Sequence, residues 1–179
     1  RVRLGLDELA PAHRLDRLTS GVLLLTTAKR WRGPYATLFA DGLATKTYEA
    51  LACVPPGTAF PVSVTGRIEK HRDSLQAALV PGEPNSESLI ELVEARAGIG
   101  RFRLSPRTGK THQLRLHMAS IGAPILNDPL YPDVADVEPN DFSRPLQLVA
   151  RTLAFSDPID QSPRRFDSAA VLSWPEVCP

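Results

Sequence analysis

Hydrophobic positions come in short runs cut by proline and glycine, and most runs have the length and period of strands. Residues 21–27, Gly-Val-Leu-Leu-Leu-Thr-Thr, read as a buried strand bounded by a glycine. Residues 34–40 place Tyr35, Leu38 and Phe39 at helical spacing, with Gly42 as the stop. Residues 45–54 form a second strand, broken by Pro55–Pro56–Gly57. Residues 62–68 and 75–80 form two more, joined through a charged turn as a hairpin. Residues 89–95 are strand-length, and Gly98–Ile99–Gly100 turns the chain into residues 101–105, where basic and apolar positions alternate strictly. Thr111 is placed to cap a helix whose core stripe is Leu114, Met118 and Ile121, closed by Gly122. A proline- and aspartate-rich loop fills 123–145, and residues 146–155 and 169–174 are late strands. Many strands with few helices predict an α+β fold on a mixed, mostly antiparallel sheet.

Composition narrows this only slightly. A chain of 179 residues with 42% hydrophobic and 23% charged residues suits one folded domain. The longest aliphatic run, residues 22–25, is far too short to cross a bilayer, so no membrane partner is expected. The chain opens on Arg1 rather than Met, which reads as a fragment or processed product. Cys53 and Cys178 make neither a zinc set nor a CxxC pair, so a reducing, cytoplasmic setting is expected, with Cys53 in the core. Net charge is +1, but its distribution is uneven. No acid lies between Glu94 and Asp128, where Arg96, Arg101, Arg103, Arg107, Lys110 and Arg115 stand with His112 and His117. Such a stretch is either a local phosphate-binding surface or a solvated face.

Three strings carry the candidate chemistry. His13–Arg14–Leu15–Asp16–Arg17–Leu18–Thr19–Ser20–Gly21 sets an acid between two arginines just ahead of the first strand. Lys46–Thr47–Tyr48–Glu49–Ala50 puts a tyrosine in the second strand. Gly109–Lys110–Thr111–His112–Gln113–Leu114–Arg115–Leu116–His117 opens the later helix, with His112 and Arg115 on the flank away from its core stripe. Each also has a plain structural reading: a salt-bridged turn, a half-buried sheet tyrosine, an amphipathic helix with a wet face. The two histidines, five residues apart, are not spaced for one metal.

Together, in this order, the strings resemble the RluA-like family of RNA pseudouridine synthases. Residues 127–131 (Asn-Asp-Pro-Leu-Tyr) and 148–153 (Leu-Val-Ala-Arg-Thr-Leu) are similar to later family segments. The resemblance spans the chain, but only twelve residues precede His13, where the family's Lys-Pro strands normally stand, and an S4 domain does not fit. It implies a pseudouridine synthase catalytic domain over residues 1–179, an isomerase that needs no cofactor and no metal. Asp16 is then the catalytic carboxylate, Arg115 its charge partner and Tyr48 the residue packed on the target base. Arg14 would fill the space left by a flipped uridine. Arg17, Arg101, Arg103, Arg107, Lys110 and His112 would contact the RNA. The expected partner is structured rRNA or tRNA, met by a monomer. The competing expectation is an RNA-binding module with the same fold and no activity in this form.

Overall fold

A computed structural model describes residues 5–136, 138 and 141–178. The chain enters through three two-residue strands, β1 (Ala10–Pro11), β2 (Ser20–Gly21) and β3 (Leu25–Thr26), and reaches helix α1 (Arg32–Ala40). Strands β4 (Thr45–Cys53), β5 (Val62–Glu69), β6 (Ala78–Val80), β7 (Ser86–Arg96) and β8 (Ile99–Pro106) follow. Helix α2 (Gln113–Ser120), β9 (Leu148–Ser156) and β10 (Pro163–Asp167) complete it. Among the described residues the main sheet runs β10-β9-β4-β8-β7-β5-β6, with β2 alongside β9. The β2–β9 pairing is parallel and the other pairings are antiparallel, so the α+β reading and the mixed, mostly antiparallel sheet both hold.

The sheet separates two apolar layers by the two-residue period of its strands. On one face Ala50, Ala52, Ile90, Phe102 and Leu104 pack with Leu114 and Met118 of α2. On the other, Leu51, Ile99 and Val149 pack with Leu126 and Leu172. A third cluster, Leu38, Ala44, Leu153 and Phe155, seats α1. Among the described residues no helix is long and apolar enough to cross a membrane.

Several elements differ from the sequence reading. The strand expected over 21–27 is divided: β2 joins β9, β3 pairs with β1, and Leu23 and Leu25 between and within them stay exposed. Gly21 sets the division, because with φ +117° a Cβ there would collide with the backbone of Ala150. The hairpin across 62–80 forms, but its second strand is only Ala78–Val80. The segment expected as a strand at 169–174 joins no strand among the described residues, while Pro163–Asp167, exposed throughout and carrying three charges, forms the edge strand β10. Main-chain pairing, not apolar content, made that edge. Cys53 and Cys178, read as unconnected thiols, are joined as a disulfide across a Cα–Cα distance of 5.7 Å.

Candidate active site

Asp16 owes its place to anchors on both sides. The imidazole Nε2 of His13 accepts the Leu24 amide at 3.0 Å, and the ring stacks on Phe39 at 4.3 Å. That acceptor needs the neutral ring, and burial lowers the His13 pKa accordingly. The Asp16 carbonyl accepts the Thr19 amide at 2.9 Å, closing a turn before β2 enters the sheet. The carboxylate faces a cleft of about 350 Å³ whose lining includes Arg14, Lys46, Tyr48, Lys110 and Leu148.

Tyr48 reaches this cleft from β4, where it stands opposite Leu104 on β8 and Ala150 on β9. Burial, and then the negative charge of Asp16, push its phenol up to about 12. Tyr48 is therefore a neutral phenol at physiological pH.

Arg115 comes from α2 and is almost wholly buried, its side chain only 4% exposed. Its Nη1 lies 3.8 Å from Asp16 Oδ2. The opposite edge of the guanidinium is a fork on Asp128: Nε to Oδ2 at 2.8 Å and Nη2 to Oδ1 at 2.5 Å. Asp128 is fully buried and its Oδ1 also accepts the amides of Leu130 and Tyr131. The Tyr131 ring lies under the guanidinium, 5.4 Å from Cζ. Burial opposes the charge on Arg115, but Asp128 and then Asp16 outweigh it and hold the pKa above its ordinary value.

Thr111 does not cap α2; His112, in the left-handed conformation at φ 57°, stands at that position without a side-chain cap. The helix start is tied instead by Gln113. Its Oε1 accepts Thr108 Oγ1 and the Lys110 amide, while Nε2 donates to Glu87 O and Ser88 Oγ. The Tyr131 hydroxyl donates to Ala77 O and accepts the Ala77 amide, so the His112 Nδ1 at 3.1 Å must carry a proton and donate to it. Burial lowers the His112 pKa, against a smaller opposing pull from Asp16.

Asp16, Tyr48, Arg14 and Lys110 thus line one cleft and Arg115 meets it through Asp16, whereas other residues named from the sequence do neither. Arg17 is exposed and outside the cleft lining. His112 lies behind Arg115 against Tyr131 rather than in the lining. Arg101 and Arg103 alternate with Phe102 and Leu104, which puts them on the other face of the sheet. There Arg101 meets Glu49 at 3.6 Å and Glu94 at 3.3 Å, and Arg103 meets Glu91 at 3.8 Å. Arg107 pairs with Glu87 at 3.1 Å and borders a neighbouring cleft. Sequence reasoning missed Gln113, Tyr131 and Asp128 as parts of the machinery. The only signal was their presence in strings already singled out for resemblance.

The cleft is thus lined by a carboxylate, Asp16, and a neutral phenol, Tyr48, together with Arg14, Lys46 and Lys110, and the Arg115 guanidinium stands 3.8 Å from the carboxylate. The chain belongs to the RNA pseudouridylate synthase family, whose profile matches residues 3–120. Within it the chain is RluA-like: it is 33% identical over 165 residues to the dual-specificity RNA pseudouridine synthase RluA of Pasteurella multocida, covering 84% of this chain and 68% of that one. It is also 33% identical over 129 residues to an uncharacterized RNA pseudouridine synthase of Haemophilus influenzae, covering 72% of this chain. The matched region is 57% of the length of that relative. Human RNA pseudouridylate synthase domain containing 1 superposes with a TM-score of 0.75 at 25% identity, over 94% of this chain and 72% of the human one. The fold is that of the pseudouridylate synthase domains.

Proposed function

We propose that residues 1–179 act as the catalytic domain of an RNA pseudouridine synthase that converts uridines of rRNA or tRNA to pseudouridine. The observation that carries this reading is the contact of Arg115, at 3.8 Å, with Asp16 of the cleft that Asp16 and Tyr48 line. In the reaction the C1′–N1 bond breaks, uracil turns, and a C1′–C5 bond forms. The C5 proton leaves and N1 takes one up, so the product is an isomer. Asp16 works on the sugar as a carboxylate, and the free edge of Arg115, 3.8 Å away, is its charge partner. The ring of Tyr48 packs on the base, and its hydroxyl, kept protonated, acts as a hydrogen-bonding group rather than a phenolate base. A uridine in folded RNA has to leave its stack at a cost of a few kcal/mol. Arg14 stacks in the space it leaves, a role supported by its being exposed and lining the cleft. That its relatives are named RNA pseudouridine synthases supports RNA as the substrate. A cytoplasmic location suits an enzyme of rRNA or tRNA, whereas the Cys53–Cys178 disulfide is of a kind that persists in oxidising surroundings.

RNA carrying tritium at uridine C5 tests this directly. Release by the wild-type protein, lost in Asp16→Asn while RNA binding persists, is the expected result. Binding by wild type without release would leave an RNA-binding module, and release by Asp16→Asn at the wild-type rate would remove Asp16 from the chemistry.

A further inference from the structure

Lys46 has no part in the scheme above, yet its surroundings are unusual for a lysine. It lies two residues before Tyr48 on β4 and borders both the Asp16 cleft and a second one of about 420 Å³. The two clefts share Phe39, Ala40, Lys46, Thr108, Gly109 and Lys110 as a dividing wall. The charged lining of the second cleft is Lys46, Arg107 and Lys110 against the single carboxylate of Asp41. Arg107 already has Glu87. Lys46, half-buried, has no acceptor or carboxylate partner among the described residues, and burial lowers its pKa. A Cβ placed on Gly109 would sit 3.6 Å from its Nζ, so the ammonium lies over the glycine backbone of the dividing wall. A partly desolvated cation with no protein counter-charge is a cost to the empty protein that an incoming anion offsets.

We propose that Lys46 binds the phosphate joining the target uridine to an adjacent nucleotide, and that the second cleft receives that nucleotide. This rests on the uridine reading of the first cleft. Two nucleosides in adjoining clefts are linked by one phosphodiester, which runs along the lining the clefts share, where Lys46 and Lys110 are the cations. Lys110, exposed on the same wall, supplies the second positive charge. The site thus reads a short stretch of RNA backbone, two units long, rather than an isolated nucleoside.

The test is the salt dependence of binding of a fluorescent decauridylate. Lys46→Met is expected to weaken binding several-fold and to reduce the log–log salt slope by about 0.7, the value for one phosphate on a single strand. Lys46→Arg should restore the slope, since it keeps the charge. Arg103→Met, on the back face and paired with Glu91, should leave it unchanged. In an oligomer with a single uridine among other nucleotides, neutral methylphosphonates placed one linkage at a time should reveal with wild-type protein one position whose loss equals that of Lys46→Met, and at that position the loss should not add when measured with Lys46→Met. A wild-type slope in Lys46→Met, or full additivity at every position, overturns the proposal. Tritium release separates it from the reading on which it rests. Release by Lys46→Met with wild-type affinity refutes the phosphate role alone, whereas Lys46-dependent binding without wild-type release refutes isomerisation alone.

Discussion

At the scale of single residues the site is a guanidinium shared between two carboxylates of different standing. Asp16 meets one corner of Arg115 at 3.8 Å, while Asp128 takes the whole opposite edge and is itself fully buried. The stronger pairing is therefore not the one at the cleft; Asp128 fixes the direction in which Nη1 points. The sequence strings brought out Asp16 and Arg115, but Asp128 sits on a loop thirteen residues beyond Arg115, where no periodicity marks it. Only a fold that brings that loop back over α2 could reveal its use. Asp128→Asn keeps an acceptor and removes the charge, so Arg115 loses its orienting partner. Hydrogen bonds to charged groups are worth about 1.5–3 kcal/mol, so a fall in kcat of roughly 10- to 100-fold with KM for RNA unchanged is expected. A structural role alone would move the urea midpoint and leave kcat per folded molecule intact, and steady-state kinetics beside an unfolding curve separate the two.

At the scale of elements, alternation along a strand was legible and the neighbours of the strand were not. Residues 101–105 do alternate, but the acid-free stretch that looked like a phosphate surface borrows Glu49 from β4 and Glu91 and Glu94 from β7. Local charge counts miss cross-strand partners because pairing is set by register, as in Glu91 opposite Arg103. Helix α2 shows the same limit. Its stripe of Leu114 and Met118 packs as its spacing requires, yet the flank read as open is covered too, burying Arg115 and His117. The Ser86 hydroxyl donates to Gly66 O, so it accepts from His117 Nε2–H at 3.1 Å, and Nδ1 is left buried with no partner. Protonating Nδ1 would place an unpaired charge in the core, and burial lowers this pKa to about 4. An unfolded histidine near pH 6.5 binds the proton first, so the stability tied to the neutral ring is complete above that pH and is lost as pH falls toward 4. Between pH 7 and 4.5 the wild-type protein should lose about 2.5 kcal/mol more than His117→Gln, a difference that removes the background of titrating carboxylates. Urea unfolding at both pH values measures it, and parallel losses in the two proteins would mean that His117 is not held neutral by its surroundings.

At the scale of the whole molecule the sheet divides two functions: the cleft with α2 on one face, and on the other a C-terminal strap without a strand of its own. The alternation Ala170, Leu172, Trp174 is real, and it packs these side chains on Leu51, Ile99, Leu126 and Val149. Val171, pointing the other way, is 86% exposed. What the pattern did not convey is how the strap is held. Arg151 donates to Ser168 O and Ala170 O, Gln147 accepts the Ser173 amide at 2.7 Å, and Arg96 lies 5.1 Å over the Trp174 ring. Side chains satisfy this backbone where a sheet ladder would have done so, and the Cys53–Cys178 bond ties the end of the strap to β4. That bond spans 125 residues, so it constrains most of the unfolded chain, and disulfides of this kind stabilise by roughly 2–4 kcal/mol. Dithiothreitol, or Cys178→Ser, should therefore lower the urea-unfolding free energy by about that amount. Leu172 and Trp174 should still keep the strap in place under native conditions. Because the bond lies on the face away from Asp16, the initial rate of tritium release at 25 °C should be the same with and without reductant. An unfolding midpoint indifferent to reductant would mean that the two sulfurs are not bonded in the folded protein. A rate that falls while the fold persists would mean that the strap and the cleft, on opposite sides of the sheet, are coupled through β4.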